Sequence, residues 1–399
     1  MKPKSIFLLI VATALFSNLN AQHIVLQESS LKKAKKMLES GHVEAKTAYN
    51  KLIKDADKIL KEAVMSVMEK TQMPPSGDKH DYVSLAPYWF PNPDTPDGLP
   101  YIRKDGQKNP EVFDFKDKDY IERMSKYVEI LGLAYYFSGN EKYAQKATDF
   151  VRTWFINPAT KMNPNLQYGQ MIKGRNEGRG AGLIDTRNFI SALEGVELIR
   201  NSKHWSDSDH KALQEWFDEF LDWMETSKNG REEMKAQNNH GVFYDAQRLA
   251  FALFIDNKEK TEEVVNSAKK RLDYQMNDEG AFPKELERTI GIHYSVFVLK
   301  AFVSIAEMSD KTDIDFWNYT TPSRKSLKKG MYFIAPYLAQ EKEWAWKQIN
   351  PFDYSQGEDL MYLSAKKFNE PLFEKTGEKI KTEKTNMRNF VITVETIKK

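Results

Sequence analysis

Apolar residues recur three and four positions apart through most of the chain, the spacing that lines one face of an α-helix. The pattern predicts helices over Leu31–Leu38, Ala45–Val67, Tyr120–Phe137, Lys142–Phe155, Leu183–Ile199, Asp207–Met224, Val242–Phe254, Glu262–Met276, Ile292–Met308 and Ser326–Leu338. Gly, Pro, Asn and Asp mark the links, as in Ser138-Gly139-Asn140 and Asn157-Pro158, so consecutive helices are expected to turn back on one another. Alternating strand patterns are scarce, and the best is Phe390–Val394. The expectation is an all-α, single-domain array of antiparallel helix hairpins closed into a toroid, in which the hairpins bury one another's apolar faces and gather their loops at one end.

Two stretches interrupt the helical pattern. Residues 71–119 hold eight of the 16 prolines, interleaved with Tyr82, Tyr88, Trp89, Phe90 and Tyr101. Residues 157–182 carry Lys161, Lys173, Arg175 and Arg179 against the single acid Glu177. Loops this long in a compact domain usually serve a function. Tyr88 and Trp89 offer rigid aromatic faces suited to stacking on sugar rings, the remaining aromatics being expected to pack as a cover. The glycine-rich run 174–182 lacks the preceding strand and Lys-Ser/Thr ending of a phosphate loop. It is read as a solvated loop or as an anion cradle built on arginine forks.

The N-terminus changes the picture of where the protein works. Lys2 and Lys4, the apolar run Ile6–Phe16 and the small residue Ala21 read as a cleavable signal peptide over residues 1–21, with a mature catalytic domain over 22–399. The run is too short to span a bilayer, and no later stretch is read as a span, so the expectation is a periplasmic or secreted protein without membrane insertion. There is no cysteine, which excludes disulfides, thiolate metal sites, a cysteine nucleophile and a lipoprotein anchor. Lys and Arg total 59 against 57 Asp and Glu, and loss of the leader removes two lysines and no acid. A balanced charge disfavours nucleic acid, and any anionic ligand must be held by local clustering of cations.

Two clusters carry candidate chemistry. Gln237-Asn238-Asn239-His240 stands directly before an apolar helical run, where it reads either as a helix cap with a chance histidine or as a set of donors for a carboxylate. Arg288 precedes Tyr294 by six residues; on one regular helix they would lie about 240° apart, so Arg288 must sit before the helix if both serve one site. A nearby guanidinium is expected to favour the tyrosinate. His293, about 100° from Tyr294, is a candidate for substrate contact or for packing behind the site. The seven histidines are scattered, so neither metal nor other cofactor is expected.

Together, the Tyr88-Trp89 block, Pro100–Gly106 with Asn109-Pro110-Glu111, Gly178-Arg179-Gly180, Asn239-His240, and Glu285-Leu286-x-Arg288-Thr289 with His293-Tyr294 resemble the alginate lyase superfamily of α-helical toroid polysaccharide lyases. The resemblance implies an incomplete (α/α) toroid or barrel and β-elimination of a uronic-acid polymer, alginate first and glucuronan as the alternative, with Asn239, His240, Arg288 and Tyr294 as catalytic residues. Asn239, with Gln237, would neutralise the substrate carboxylate. Tyr294 would protonate the leaving O4, and would also be the base where H5 and O4 share a face of the ring. His240 would be the base where they do not, or would orient the carboxylate. Tyr88, Trp89, Gln170, Arg175, Arg179, Gln237 and His293 are the candidate substrate contacts. Two other classes remain in view: a glycoside hydrolase using Asp245, Asp278 or Glu279, and a glycan-binding protein without catalysis.

Overall fold

The structure, a computed structural model, describes residues 23–382 and 386–394. The expected signal peptide lies outside the described residues. Two amphipathic helices, α1 (Glu28–Glu39) and α2 (Val43–Ile59), come first. The proline-rich stretch then contributes three short strands, β1 (Val83–Leu85), β2 (Trp89–Phe90) and β3 (Ile102–Arg103). Helices α3 (Lys116–Ser138) and α4 (Glu141–Val151) form a hairpin across Gly139, whose φ of 68° supplies the left-handed turn, and Asn140 caps α4. Strand β4 (Tyr168–Met171) is followed by a 3-10 segment, Gly180–Thr186, and by α5 (Phe189–Leu198) and α6 (Asp207–Thr226). Then come α7 (Lys228–Met234), α8 (Asn239–Phe254), α9 (Lys258–Gln275), α10 (Pro283–Leu286) and α11 (Gly291–Ser309). The chain continues through α12 (Leu327–Leu338), α13 (Glu358–Phe368) and α14 (Pro371–Ile380) to α15 (Met387–Thr393).

Burial separates two layers. Helices α5, α8 and α11 are apolar nearly all round and buried along most of their length, whereas α4, α6 and α9 keep one polar face in solvent. Contacts run α2–α3–α5–α8–α11–α13, with α4, α6, α9, α12 and α14 backing them, and α15 returns to pack on α1, α2 and α13. This is the incomplete (α/α) toroid that the family resemblance implies, built from the helices that the periodicity predicts. Its apolar core is continuous from Ile24 to Val394, and a cluster of Phe155, Phe189, Trp216, Phe217, Phe220 and Phe251 joins α5, α6 and α8. Truncating one of those buried rings to Ala is expected to cost about 3–5 kcal/mol.

Four expectations change. Helix α2 stops at Ile59, and Ser66 with Glu69 forms a capping box that starts a separate 3-10 turn at Val67. The run predicted as a helix from Leu183 begins as 3-10 and becomes α-helical only at Phe189. The predicted strand at Phe390–Val394 belongs to α15: Asn386 caps it, and Phe390 and Val391 are buried against helices, with no strand edge to pair. Packing overrides a β-branched run. Finally, the 19-residue α11 has the length and hydropathy of a membrane span, a stretch passed over in the sequence, but it is enclosed by other helices of the toroid.

The irregular stretches become a cover over one end of the ring. Strand β1 pairs in parallel with β4, and β2 pairs antiparallel with β3, setting Trp89 opposite Arg103. The glycines of 174–182 serve close packing as well as turning: a Cβ on Gly178 would fall 1.9 Å from the Gln167 carbonyl oxygen, and one on Gly182 would fall 2.5 Å from Gly169 backbone. The segment is therefore seated against β4 rather than free in solvent.

Candidate active site

A cleft of about 550 Å³ opens between this cover and the ends of α7, α8 and α11. Its walls include Tyr88, Trp89, Gln170, Arg179, Asn239, His240, Arg288 and Tyr294, so eight of the eleven predicted site residues meet there. The other cations lining it are Arg103, Lys118, Arg187 and Lys235, against the two acids Glu232 and Glu233. A chain of balanced charge has thus concentrated positive charge at one place.

Asn239 and His240 open α8. The cap is Asn238, whose side chain accepts from the His240 backbone N–H at 3.2 Å, leaving both residues free for other contacts. Asn239 is fully buried; its backbone N–H and its Nδ2 donate to the two carboxylate oxygens of Glu285 at 2.5 and 2.8 Å. Burial raises the Glu285 pKa against the effect of those bonds. His240 places Nδ1 2.6 Å from Glu233 Oε1. The turn before α8 is clamped by Arg271, which donates to the carbonyls of Met234 and Ala236 at 3.1 and 2.8 Å while paired with buried Asp245 at 2.7 Å.

Arg288 lies between α10 and α11, as the helical geometry required. Its Nη2 donates to the Tyr294 hydroxyl at 2.7 Å, and its Nε and Nη2 reach Asp105 at 3.1 and 2.7 Å. Asp105 also accepts from the Thr289 N–H and hydroxyl. Arg288 and the Thr289 bonds outweigh partial burial and hold the Asp105 carboxyl well below the usual range. The Tyr294 hydroxyl is 2.8 Å from that of Tyr88. Burial pushes the Tyr294 phenol well above its ordinary pKa despite the guanidinium beside it, whose charge is shared with Asp105. The expected shift toward tyrosinate is therefore corrected: burial outweighs the guanidinium and favours the neutral phenol.

Gln170 and Arg179 belong to a second network. Gln170 takes a φ of 49°, unusual for a residue other than glycine, and its Nε2 donates to buried Asp185 at 3.0 Å while its Oε1 accepts from Arg179 at 2.8 Å. Asp185 also accepts from the hydroxyls of Tyr82 and Ser84 at 2.9 and 2.8 Å and pairs with Lys118 at 3.1 Å. Burial opposes its ionisation, but Lys118 and those donors prevail and lower its pKa.

Three candidates stand outside the cleft wall. Arg175 is exposed, donates to the Tyr101 carbonyl at 2.8 Å and lies 5.1 Å from the centre of the Trp89 ring, bracing that ring from behind. Gln237 is exposed in the turn before α8. His293 bonds Gln348 at 2.9 Å and packs edge-on to Phe352, facing a different segment. Burial lowers its pKa. The hydrolase candidates also fall away from the cleft: Asp245 is committed to Arg271, and Asp278 and Glu279 sit in an exposed turn. Among the described residues no group of three His, Asp or Glu side chains suits a metal ion. Sequence reasoning gave no role to Asp105, Lys118 and Arg187, whose ion-pair partners are distant in the chain, or to Glu233, whose partner is seven residues away.

A helical toroid with amide, imidazole, guanidinium and phenol converging on a cationic cleft defines a polysaccharide lyase. The alginate lyase family profile matches residues 66–344, and the chain belongs to that family. It is 38% identical to an alginate lyase of Bacteroides ovatus of known crystal structure, with a TM-score of 0.89 over 93% of this chain and 99% of that one. The alginate lyase A1-III of Sphingomonas species A1 shares the fold at 16% identity, with a TM-score of 0.54 over 88% of this chain and 91% of that one. A histidine-to-alanine variant of alginate lyase A1-III complexed with a tetrasaccharide aligns at 15% identity and a TM-score of 0.58, over 89% of this chain and 92% of that one. A search of curated proteins found no match.

Proposed function

We propose that this lyase depolymerises alginate by β-elimination in the cationic cleft, with Tyr294 as general acid and His240 as base. The observation that carries this reading is the Tyr294 hydroxyl, 2.7 Å from Arg288 Nη2 and lining the same cleft as His240. In the reaction, His240 takes H5, the released electron pair passes toward the uronate carboxylate, the C4–O4 bond breaks, and O4 receives the phenolic proton. A C4=C5 double bond forms and no water is consumed. The step is hard because the adjacent carboxylate is already negative, so donors must meet the growing charge. Asn239 keeps a second N–H on the amide nitrogen that binds Glu285, and Arg288 adds positive charge beside the phenol. Arg179, Lys118, Arg187 and Lys235 are proposed to hold the other carboxylates of an anionic polysaccharide, and Tyr88 and Trp89 to stack on its rings.

The test is direct. Purified protein incubated with alginate block fractions and glucuronan should give a conjugated 4,5-unsaturated uronate, read by its ultraviolet absorbance. New reducing ends without that absorbance would establish a hydrolase, and neither product would establish a binder. We also propose export: Lys2, Lys4, the run Ile6–Phe16 and Ala21 support a signal peptide, and an exported protein whose N-terminus is Gln22 by mass spectrometry would bear this out.

A further inference from the structure

We infer that Glu233 is a positioning residue for His240, fixing the imidazole so that its Nε2 is the free base that meets the substrate. This rests on the reading of His240 as base and goes a step further, to what makes it one.

A neutral imidazole carries one proton and has two nitrogens to put it on, and the hydrogen bond made by one nitrogen settles the state of the other. Glu233 Oε1 lies 2.6 Å from His240 Nδ1, with the carboxylate side chain 4% exposed and the imidazole 21% exposed. A buried carboxylate accepts and does not donate, so the proton sits on Nδ1 and the Nε2 lone pair is left for the cleft. When Nε2 takes H5 the ring becomes a cation, and the carboxylate then lies against it, stabilising charge that appears only as the reaction proceeds.

The backbone around the pair is built to hold this geometry. Glu233 lies on α7, whose start is capped by Ser227, and a Cβ on Gly230 would fall 1.7 Å from the Met224 carbonyl oxygen, so α7 is pressed against the end of α6. Gly180 N–H donates to the neighbouring Glu232 at 3.2 Å, fixing α7 to the cover. Arg271 binds the carbonyls of Met234 and Ala236, so the six residues between Glu233 and His240 have little freedom to drift. Arg179 lies near enough to Glu233 to interact with its charge, which keeps a lone buried anion from standing without a counter-charge.

The experiment compares Glu233→Ala, Glu233→Gln and His240→Ala in the full chain, each checked for fold by circular dichroism and melting. Glu233→Ala should lower kcat by about 100-fold with KM within about threefold of wild type. Gln can still accept from Nδ1 through its amide oxygen but brings no charge, so Glu233→Gln should recover part of the loss, to about tenfold below wild type. The imidazole ¹⁵N spectrum, with the His240 signal assigned from its absence in His240→Ala, should show the Nδ1–H form in wild type and Glu233→Gln and a shift toward Nε2–H in Glu233→Ala. Should Glu233→Ala fail to fold, Glu233→Gln carries the kinetic test. A folded Glu233→Ala with full turnover beside an inactive His240→Ala overturns the role of Glu233 and leaves His240 as base. A wild-type Nε2–H signal also overturns it. Full turnover in His240→Ala would overturn the base assignment and the proposal with it.

Discussion

Replacing Tyr294 with Phe removes one oxygen, and the structure states what that oxygen does. It bonds the Tyr88 hydroxyl at 2.8 Å and Arg288 Nη2 at 2.7 Å. The first bond is neutral and contributes about 1 kcal/mol; the second is charge-assisted and contributes about 1.5–3 kcal/mol. Arg288 Nη2 also holds Asp105 at 2.7 Å, so it is not stranded, and the realised loss should sit at the lower end of their sum, about 2.5 kcal/mol. That is within what a domain stable by about 5–15 kcal/mol survives. The chemical loss is separate from the structural one and is read as a slower rate in protein that is still folded. A general acid contributes at least about 100-fold, or about 2.7 kcal/mol of barrier, and O4 otherwise leaves as an alkoxide. Initial rates on the best polyuronate, read by ultraviolet absorbance across substrate concentration, should show kcat down at least about 100-fold and KM nearly unchanged. A folded Tyr294→Phe that keeps more than about a tenth of wild-type kcat would refute Tyr294 as the acid.

Arg179 and Arg175 were read together in the sequence, and the structure separates them. Arg179→Ala, which empties a cation from the cleft wall, should raise KM more than it lowers kcat, while Arg175→Ala, which loosens only the brace behind Trp89, should change KM by less than about threefold. Asp105→Asn should destabilise the protein by about 1.5–3 kcal/mol at neutral pH, from loss of the charged bond to Arg288. Because the folded carboxyl is held below its unfolded value of about 3.9, that contribution is full above this pH and fades as pH falls through the lower folded value. Denaturant unfolding of both proteins from pH 7 downward should therefore show the gap closing only below about pH 4, and a gap independent of pH would show that charge is not its source. Turnover should be unchanged by a divalent-metal chelator, since the proposed charge stabilisers are side-chain amide, imidazole and guanidinium groups; loss of activity restored by one added metal ion would contradict this.

How much of this was legible in the sequence depends on the range of each interaction. Helices whose apolar face is set by neighbours three and four residues away, such as α6 and α9, could be read from periodicity alone. So could the place of Arg288 outside its helix, because 3.6 residues per turn leaves no other way to meet Tyr294. Helix α15 could not be read, since Val391 and Ile392 favour a strand in isolation and only burial against α1, α2 and α13 decides otherwise. The carboxylates behind the site were equally hidden. Asp105 lies 183 residues from Arg288, and Glu285 lies 46 from Asn239. Glu233 is only seven residues from His240, but it sits in a charged run that reads as an ordinary solvated helix face.

A site for a polyanion that is backed by Asp105, Glu233, Glu285 and Asp185 looks at first like a contradiction, since four carboxylates should repel the substrate. The geometry resolves it. Asp105 binds Arg288, Glu233 binds His240 and Glu285 binds Asn239, three partners that line the cleft, while Asp185 binds Lys118 and Gln170, whose Oε1 is taken by Arg179. Were those donors left flexible, the approaching uronate would have to order them, and the cost would come out of binding and rate alike. Held in advance, the groups proposed for catalysis would meet the charge that grows on the substrate carboxylate without reorganising at the moment of reaction. Asp105, Asp185 and Glu285 stay behind their partners, while Glu232 and Glu233 share the cleft wall with Arg179, Arg187 and Lys235. Asp105, Asp185 and Glu285 thus orient the positive and polar groups in front of them, and six cations against two acids remain in the wall itself.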